Sequence, residues 1–193
     1  MGKGRLEAFS DGVFAIILTI TVLEIKVPHG ADFTALASTL PTLLSYALSF
    51  VFVGIYWNNH HHMLHATPRI NGRIMWANLH LLFWLSFVPV ATEWLGENEF
   101  AAVPAAVYGV LLFMSGTAYT ILQLAILAFN GRDSLLGTAV GSDIKGKASQ
   151  LLYLAAIVLA FVHPWISEAI YVLVAVMWFI PDPRIETKIQ SGS

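Results

Sequence analysis

RLEAFSDGVFAIILTITVL, residues 5–23, decides how the rest of the chain is read. Its first seven positions hold Arg5, Glu7, Ser10 and Asp11; from Gly12 onward it carries no charge and is built mainly from Val, Ile, Leu and Phe. About 20 mostly apolar residues are needed to cross the hydrocarbon of a bilayer as a helix. The apolar run from Phe9 to Leu23 therefore reads as a membrane helix with an unusually polar head. A cleaved leader is the wrong reading. Acidic residues flank the run at Glu7, Asp11 and Glu24, and it leads into Glu-Ile-Lys-Val-Pro rather than a small-residue cleavage site.

Outward from that stretch, similar runs recur at Leu40 to Trp57, Ile74 to Leu95, Val103 to Phe129, Ala148 to Val162 and Trp165 to Ile180. The whole chain of 193 residues is 57% apolar and 11% charged, with a mean hydropathy of +0.70. Soluble domains run at about 45–50% apolar and about 25% charged. Inside a bilayer the backbone must satisfy its own hydrogen bonds, which helices do within one segment. The expected fold is an all-α integral membrane protein of six transmembrane helices, with residues 1–184 as a single six-helix unit and residues 185–193 as a polar C-terminal tail. A net charge of −2 gives no basic excess for a polyanion, so nucleic acid is not an expected partner. With no cysteine, disulfides and thiol chemistry are excluded.

The last two runs flank Pro164 and form either a hairpin or one long kinked helix. Charge favours the hairpin. Lys145 and Lys147 precede the pair and Arg184 and Lys188 follow it, so two crossings return both basic ends to one face. The same rule gathers Lys3, Arg5, Arg69, Arg73, Arg132, Lys145, Lys147, Arg184 and Lys188 on one side and leaves Lys26 on the other. Glu24, Asp32, Glu93, Glu97, Glu99 and Glu168 fall in the opposite loops. Both termini are expected in the cytoplasm, with Trp57, Trp94, Trp165 and Trp178 as interfacial anchors near helix ends.

Ionisable groups at a membrane helix are costly unless paired. Arg5 and Asp11 lie six apart, about 120° around a helix, too far round to pair directly. Each is expected to reach a neighbouring helix, where Asn58-Asn59-His60-His61-His62 closes the second run on the same side. Further along the first helix, Ile16, Ile20 and Leu23 fall at i, i+4 and i+7 and make one stripe, with Thr19 beside it. On spacing alone that stripe is a packing seam, or else a symmetry axis where stacked apolar rings form a constriction that gates by dewetting. His61 and His65 have the i, i+4 spacing of a zinc pair, but no HExxH pattern accompanies them. Phosphate loops, nucleophile arrangements and intramembrane aspartyl pairs are absent, so neither catalysis, a bound metal nor a cofactor is expected. Asn78, Ser86, Ser115, Thr117 and Thr120 read as helix-packing polar residues, and Gly109 and Gly116 as points of close helix approach.

Arg5-x-x-x-Phe9-Ser10-Asp11 at the head of the first helix resembles the motif of the transmembrane protein 175 family of potassium channels, in its single-repeat prokaryotic branch. Trp57-x-Asn59-His60-His61 and Asn78-x-x-Leu81-Leu82-x-x-x-Ser86-x-x-Pro89 extend the likeness through the first half of the chain; the second half matches only by hydropathy. The resemblance implies a homotetramer in a prokaryotic plasma membrane, with the first helix of each copy lining a central pore. It makes Ile16, Ile20 and Leu23 the apolar layers that narrow the pore. It puts Thr19 near the constriction, where a threonine helps coordinate a dehydrated cation; either the apolar ring or this polar layer serves as the filter. Arg5, Phe9, Ser10, Asp11 and one of His60 or His61 match a network bracing the pore helices. The expected function is a potassium-permeable channel with modest preference over sodium, potassium being the permeant ion. The competing readings are a proton-coupled or secondary cation transporter, which needs charged midplane groups, and a non-conducting, histidine-rich membrane protein.

Overall fold

A computed structural model describes residues 2–131, 133–140 and 143–179. The expected polar tail at residues 185–193, together with Arg132, Arg184 and Lys188, lies outside the described residues. Those residues form α1 (Lys3–Leu23), α2 (Phe33–Ser38), α3 (Leu40–His65), α4 (Gly72–Leu85), α5 (Val88–Glu97), α6 (Ala102–Asn130), α7 (Leu135–Val140), α8 (Ile144–Leu159) and α9 (Pro164–Phe179). Among the described residues, four helical stretches are long and apolar enough to cross a bilayer: α1, α3, α4 with α5 taken together, and α6. The protein is thus an all-helical integral membrane protein.

Local chemistry sets the boundaries. Asn71 begins α4 by accepting a hydrogen bond from the Ile74 amide at 3.0 Å, and Asp32 does the same for α2 through Ala35 at 2.8 Å. Ser86 and Phe87 separate α4 from α5 because Pro89, in the first turn of α5, has no amide to donate back. The apolar runs understate two helices. α1 starts at Lys3, two turns before Phe9, and α3 continues through Asn58 to His65 instead of stopping at Trp57.

α8 and α9 are separate and antiparallel, which settles the choice between hairpin and kinked helix. Ser167 Oγ donates to the Ala156 carbonyl near their turn (2.7 Å), and Trp178 Nε1 donates to Ser149 Oγ at the far end (2.8 Å). Each has 16 residues, roughly 24 Å of helix. Glu168, expected in a loop from the sequence, stands inside α9 and is buried; Glu93 and Glu97 belong to α5.

α6 is the hub, packing on α4, α5, α8 and α9. Its glycines admit partners that any Cβ would strike. Tyr171 passes over Gly109 to donate to the Ala105 carbonyl at 2.9 Å, and Gln150 lies against Gly116. Ser49 of α3 bonds Thr92 of α5 at 2.5 Å and Tyr108 of α6 at 2.8 Å, joining three helices through buried hydroxyls. The helix ends align in two sets. Lys3 Nζ donates to the His65 carbonyl at 3.0 Å, and Asn130 Nδ2 donates to the Arg69 carbonyl at 3.1 Å, which brings the start of α1, the end of α3 and the end of α6 together. At the opposite end Lys26 bonds Glu97.

Candidate functional site

α1 has two unlike faces. Leu6, Ser10, Phe14, Ile17 and Thr21 are buried against the rest of the chain, chiefly α3 and α5. Phe9, Ile16, Ile20 and Leu23 are 51%, 58%, 41% and 74% exposed, and Thr19 is exposed beside them. Both rows have helical spacing and both are largely apolar. Only one packs within the chain, so the stripe of Ile16, Ile20 and Leu23 is not the intrachain seam.

The inward face carries a directional hydrogen-bond chain. His60 Nε2 meets Asn78 Oδ1 at 2.6 Å, Asn78 Nδ2 donates to Ser10 Oγ at 2.9 Å, and Ser10 Oγ donates to the Leu6 carbonyl at 2.9 Å. Since Asn78 offers its oxygen to the ring, the arrangement calls for the His60 tautomer with its proton on Nε2. All three side chains are buried, and Phe14 packs its ring against His60 at 5.5 Å. One polar chain thus fixes α1 to α3 and α4. Buried polar groups left unpaired are costly, so this network specifies how α1 docks.

The remaining motif residues are placed differently. Asp11 accepts a hydrogen bond from Trp57 Nε1 at 3.0 Å, a second tie between α1 and α3. His61 is exposed, next to the buried His60. Arg5 is exposed, and among the described residues its side chain makes no hydrogen bond or ion pair. Ser10 and His60 are therefore brought together by Asn78, while Arg5, Asp11 and His61 stand outside that chain. Asn78 and Trp57 are the residues that sequence reasoning undervalues: both stand in the family-like motifs, but they read as a packing residue and an interfacial anchor. His80 of α4 accepts from Trp84 Nε1 at 3.0 Å.

The exposed face of α1 can do little chemistry. Its large side chains offer an ion no ligand. Thr19 Oγ1 donates to the Ala15 carbonyl at 2.8 Å, which spends its proton and leaves oxygen lone pairs for a cation. Among the described residues no group of three or more His, Asp or Glu side chains is arranged to hold a metal. Beyond the end of α1, Glu97 and Glu93 surround Lys26, and the hydrogen bond and charge of Glu97 hold its ammonium above the usual lysine range.

The same head of α1, with the chain onward through α4, is the region matched by a family model. Residues 5–89 fit the model described as endosomal/lysosomal potassium channel TMEM175. A potassium channel of Chryseobacterium sp. (strain P1-3) is 52% identical over all of both chains. The chain belongs to the TMEM175 family. A potassium channel of Chamaesiphon minutus is 34% identical over 90% of this chain and 91% of its own. The crystal structure of a lysosomal potassium-selective channel TMEM175 homolog from Chamaesiphon minutus superposes with a TM-score of 0.82 at 30% identity, covering 92% of this chain and 96% of that one. TMEM175 proteins are ion channels, not enzymes. The resemblance first carried by Arg5, Phe9, Ser10 and Asp11 is thereby established over nearly the whole chain.

Proposed function

We propose that this TMEM175 protein is a potassium-permeable channel of the prokaryotic plasma membrane. Four copies surround a pore lined by α1, each copy crosses the membrane six times, and both termini face the cytoplasm. The observation that carries this reading is the outward row of α1, large and apolar yet unpartnered within its own chain. A symmetric assembly supplies the missing partners by bringing equivalent rows around one axis. The orientation is supported by Lys3 and Arg69 at one set of helix ends, with Lys26 held among glutamates at the other.

In this mechanism Ile16 forms the narrowest apolar layer, with Ile20 and Leu23 as further layers towards the outer face. An isoleucine ring gives a cation nothing in exchange for its water, so passage requires partial dehydration in a wetted state. Potassium sheds water more readily than sodium, which yields a modest preference without a carbonyl cage. Thr19 contributes oxygen beside the layer, and Glu24 and Asp32 raise the local cation concentration at the outer mouth. Ser10, Asn78 and His60 hold α1 at the angle that presents Ile16 to the axis.

The test is ion flux into liposomes containing the purified protein, with potassium and sodium measured in parallel. Wild type is expected to pass potassium faster than sodium. Ile16→Asn, which adds a hydrogen-bonding group at the layer, is expected to raise both fluxes and bring their ratio towards one. Unchanged flux and ratio in that variant would remove Ile16 from the pore.

A further inference from the structure

The exposed histidines at the end of α3 have no part in the mechanism above. His61 and His65 lie one helical turn apart on one face, their rings nearly parallel at 17° with centroids 6.1 Å apart. Both are exposed, and they occupy the final turns of α3, where the helix reaches the polar end of the bundle. His60, by contrast, is buried and its Nε2 is taken by Asn78. Side chains at i and i+4 are neighbours on a helix surface, so rotation of the two rings out of their parallel arrangement can bring one nitrogen of each to a shared ion. Imidazole is a good ligand for nickel, copper and zinc, for which affinity peaks at copper.

We propose that His61 and His65 form a two-histidine site for a divalent transition-metal ion, one ion per chain, with water completing the coordination sphere. With two protein ligands the site is an exchangeable one rather than a closed structural centre, which takes four. The charges around it are balanced enough to admit a cation. Lys3 reaches the His65 carbonyl, but Glu7 stands 3.7 Å from the same ammonium and Asp11 lies just beyond Trp57. The Trp57 ring is 6.3 Å from that of His61, and its indole is bonded to Asp11 of α1. An ion bridging His61 and His65 pins the last turn of α3 beside the contact that holds the head of α1. It also places a paramagnetic ion such as Cu²⁺ or Ni²⁺ close enough to Trp57 to quench its fluorescence.

The experiment uses the full chain, tag-free and stripped with EDTA, in detergent. Ni²⁺ binding is measured by equilibrium dialysis, and the protein's total tryptophan emission, from six residues, is titrated with Ni²⁺ in wild type and in Trp57→Phe. Wild type is expected to take up one Ni²⁺ per chain with saturable quenching. His61→Gln and His65→Gln, both at exposed positions, should each weaken binding by more than the roughly 10–100-fold that loss of an outer-sphere partner costs. His62 meets the His61 ring edge-on at 5.5 Å but lies about 100° round the helix from it, so His62→Gln should weaken binding far less than either. Trp57→Phe should remove the saturable quenching while dialysis still shows the ion. Uptake in wild type no greater than in the His61→Gln/His65→Gln double variant overturns the site, as does a loss in His62→Gln equal to that in His61→Gln.

Discussion

The two faces of α1 are made of similar residues and end in different states. The inward face has Phe14 and Ile17 at 2% and 3% exposure, and its one hydroxyl in the head region, Ser10, has a partner for every bond it can make with ease. On the outward face Ile16 and Leu23 stay 58% and 74% exposed. What separates them is polar chemistry: the face that holds Ser10 can be docked in only one register, because Asn78 and His60 must meet it. The apolar face has no such lock. It is left unpartnered within the chain, as the proposed pore requires.

The largest test of this contrast is a pair of truncations within one turn, on opposite sides of the helix. Phe14→Ala removes a buried ring from between α1 and His60 and is expected to cost about 3–5 kcal/mol of stability. Ile16→Ala on the separate chain is expected to stay within about 0.5 kcal/mol of wild type, as for other exposed positions. Thermal unfolding of the detergent-solubilised protein under dissociating conditions measures both. Equal losses would mean that the outward face is held as firmly as the inward one, and the contrast would fail.

Much of this contrast is legible in the amino-acid sequence. The apolar run of α1 is plain there, and so is the stripe at Ile16, Ile20 and Leu23. The orientation of the stripe is not, because Leu6, Phe14 and Ile17 make a second row with the same period, and hydrophobicity does not say which of two apolar rows faces inward. Helix ends are underestimated where polar residues are internally satisfied. Asn59 bonds back to the Ile55 carbonyl at 2.8 Å and His60 is buried, so α3 runs on through a cluster that looks like a loop. The chain from His60 through Asn78 to Ser10 joins residues up to 68 positions apart, and local periodicity carries no record of such pairings. Within the chain Asn78 is what Ser10 and His60 share, and Arg5 and Asp11 stand outside that contact.

That network gives the next test in size. Asn78→Ala strands the His60 ring nitrogen and takes a donor from Ser10, both in the core. Each stranded group is expected to cost roughly 1–3 kcal/mol. Ser10→Ala should cost less than Asn78→Ala, because it strands only the Asn78 amide. Melting temperatures of the two variants, with the Ser10→Ala/Asn78→Ala double variant to close the cycle, measure the coupling. If losses simply add, Asn78 is a packing residue rather than the link that registers α1.

The smallest effect is expected at the far end of α1, where charges are paired but wet. Lys26 lies between Glu97 and Glu93 with 73% of its side chain exposed. Surface pairs of this kind contribute little, because water and salt screen them. Lys26→Gln should therefore leave the melting temperature unchanged within error. The pH dependence has a definite sign. Glu97 raises the Lys26 pKa in the folded protein, so any stabilisation is fully present below the lysine's ordinary value and disappears only as pH rises through the raised one. Between pH 5 and 8 Lys26 stays protonated, so its own titration adds no slope to stability. A melting temperature that drops sharply in Lys26→Gln at neutral pH would show the outer ion pairs holding α1 as strongly as its buried polar chain, and would move the anchor of the helix from its head to its tail.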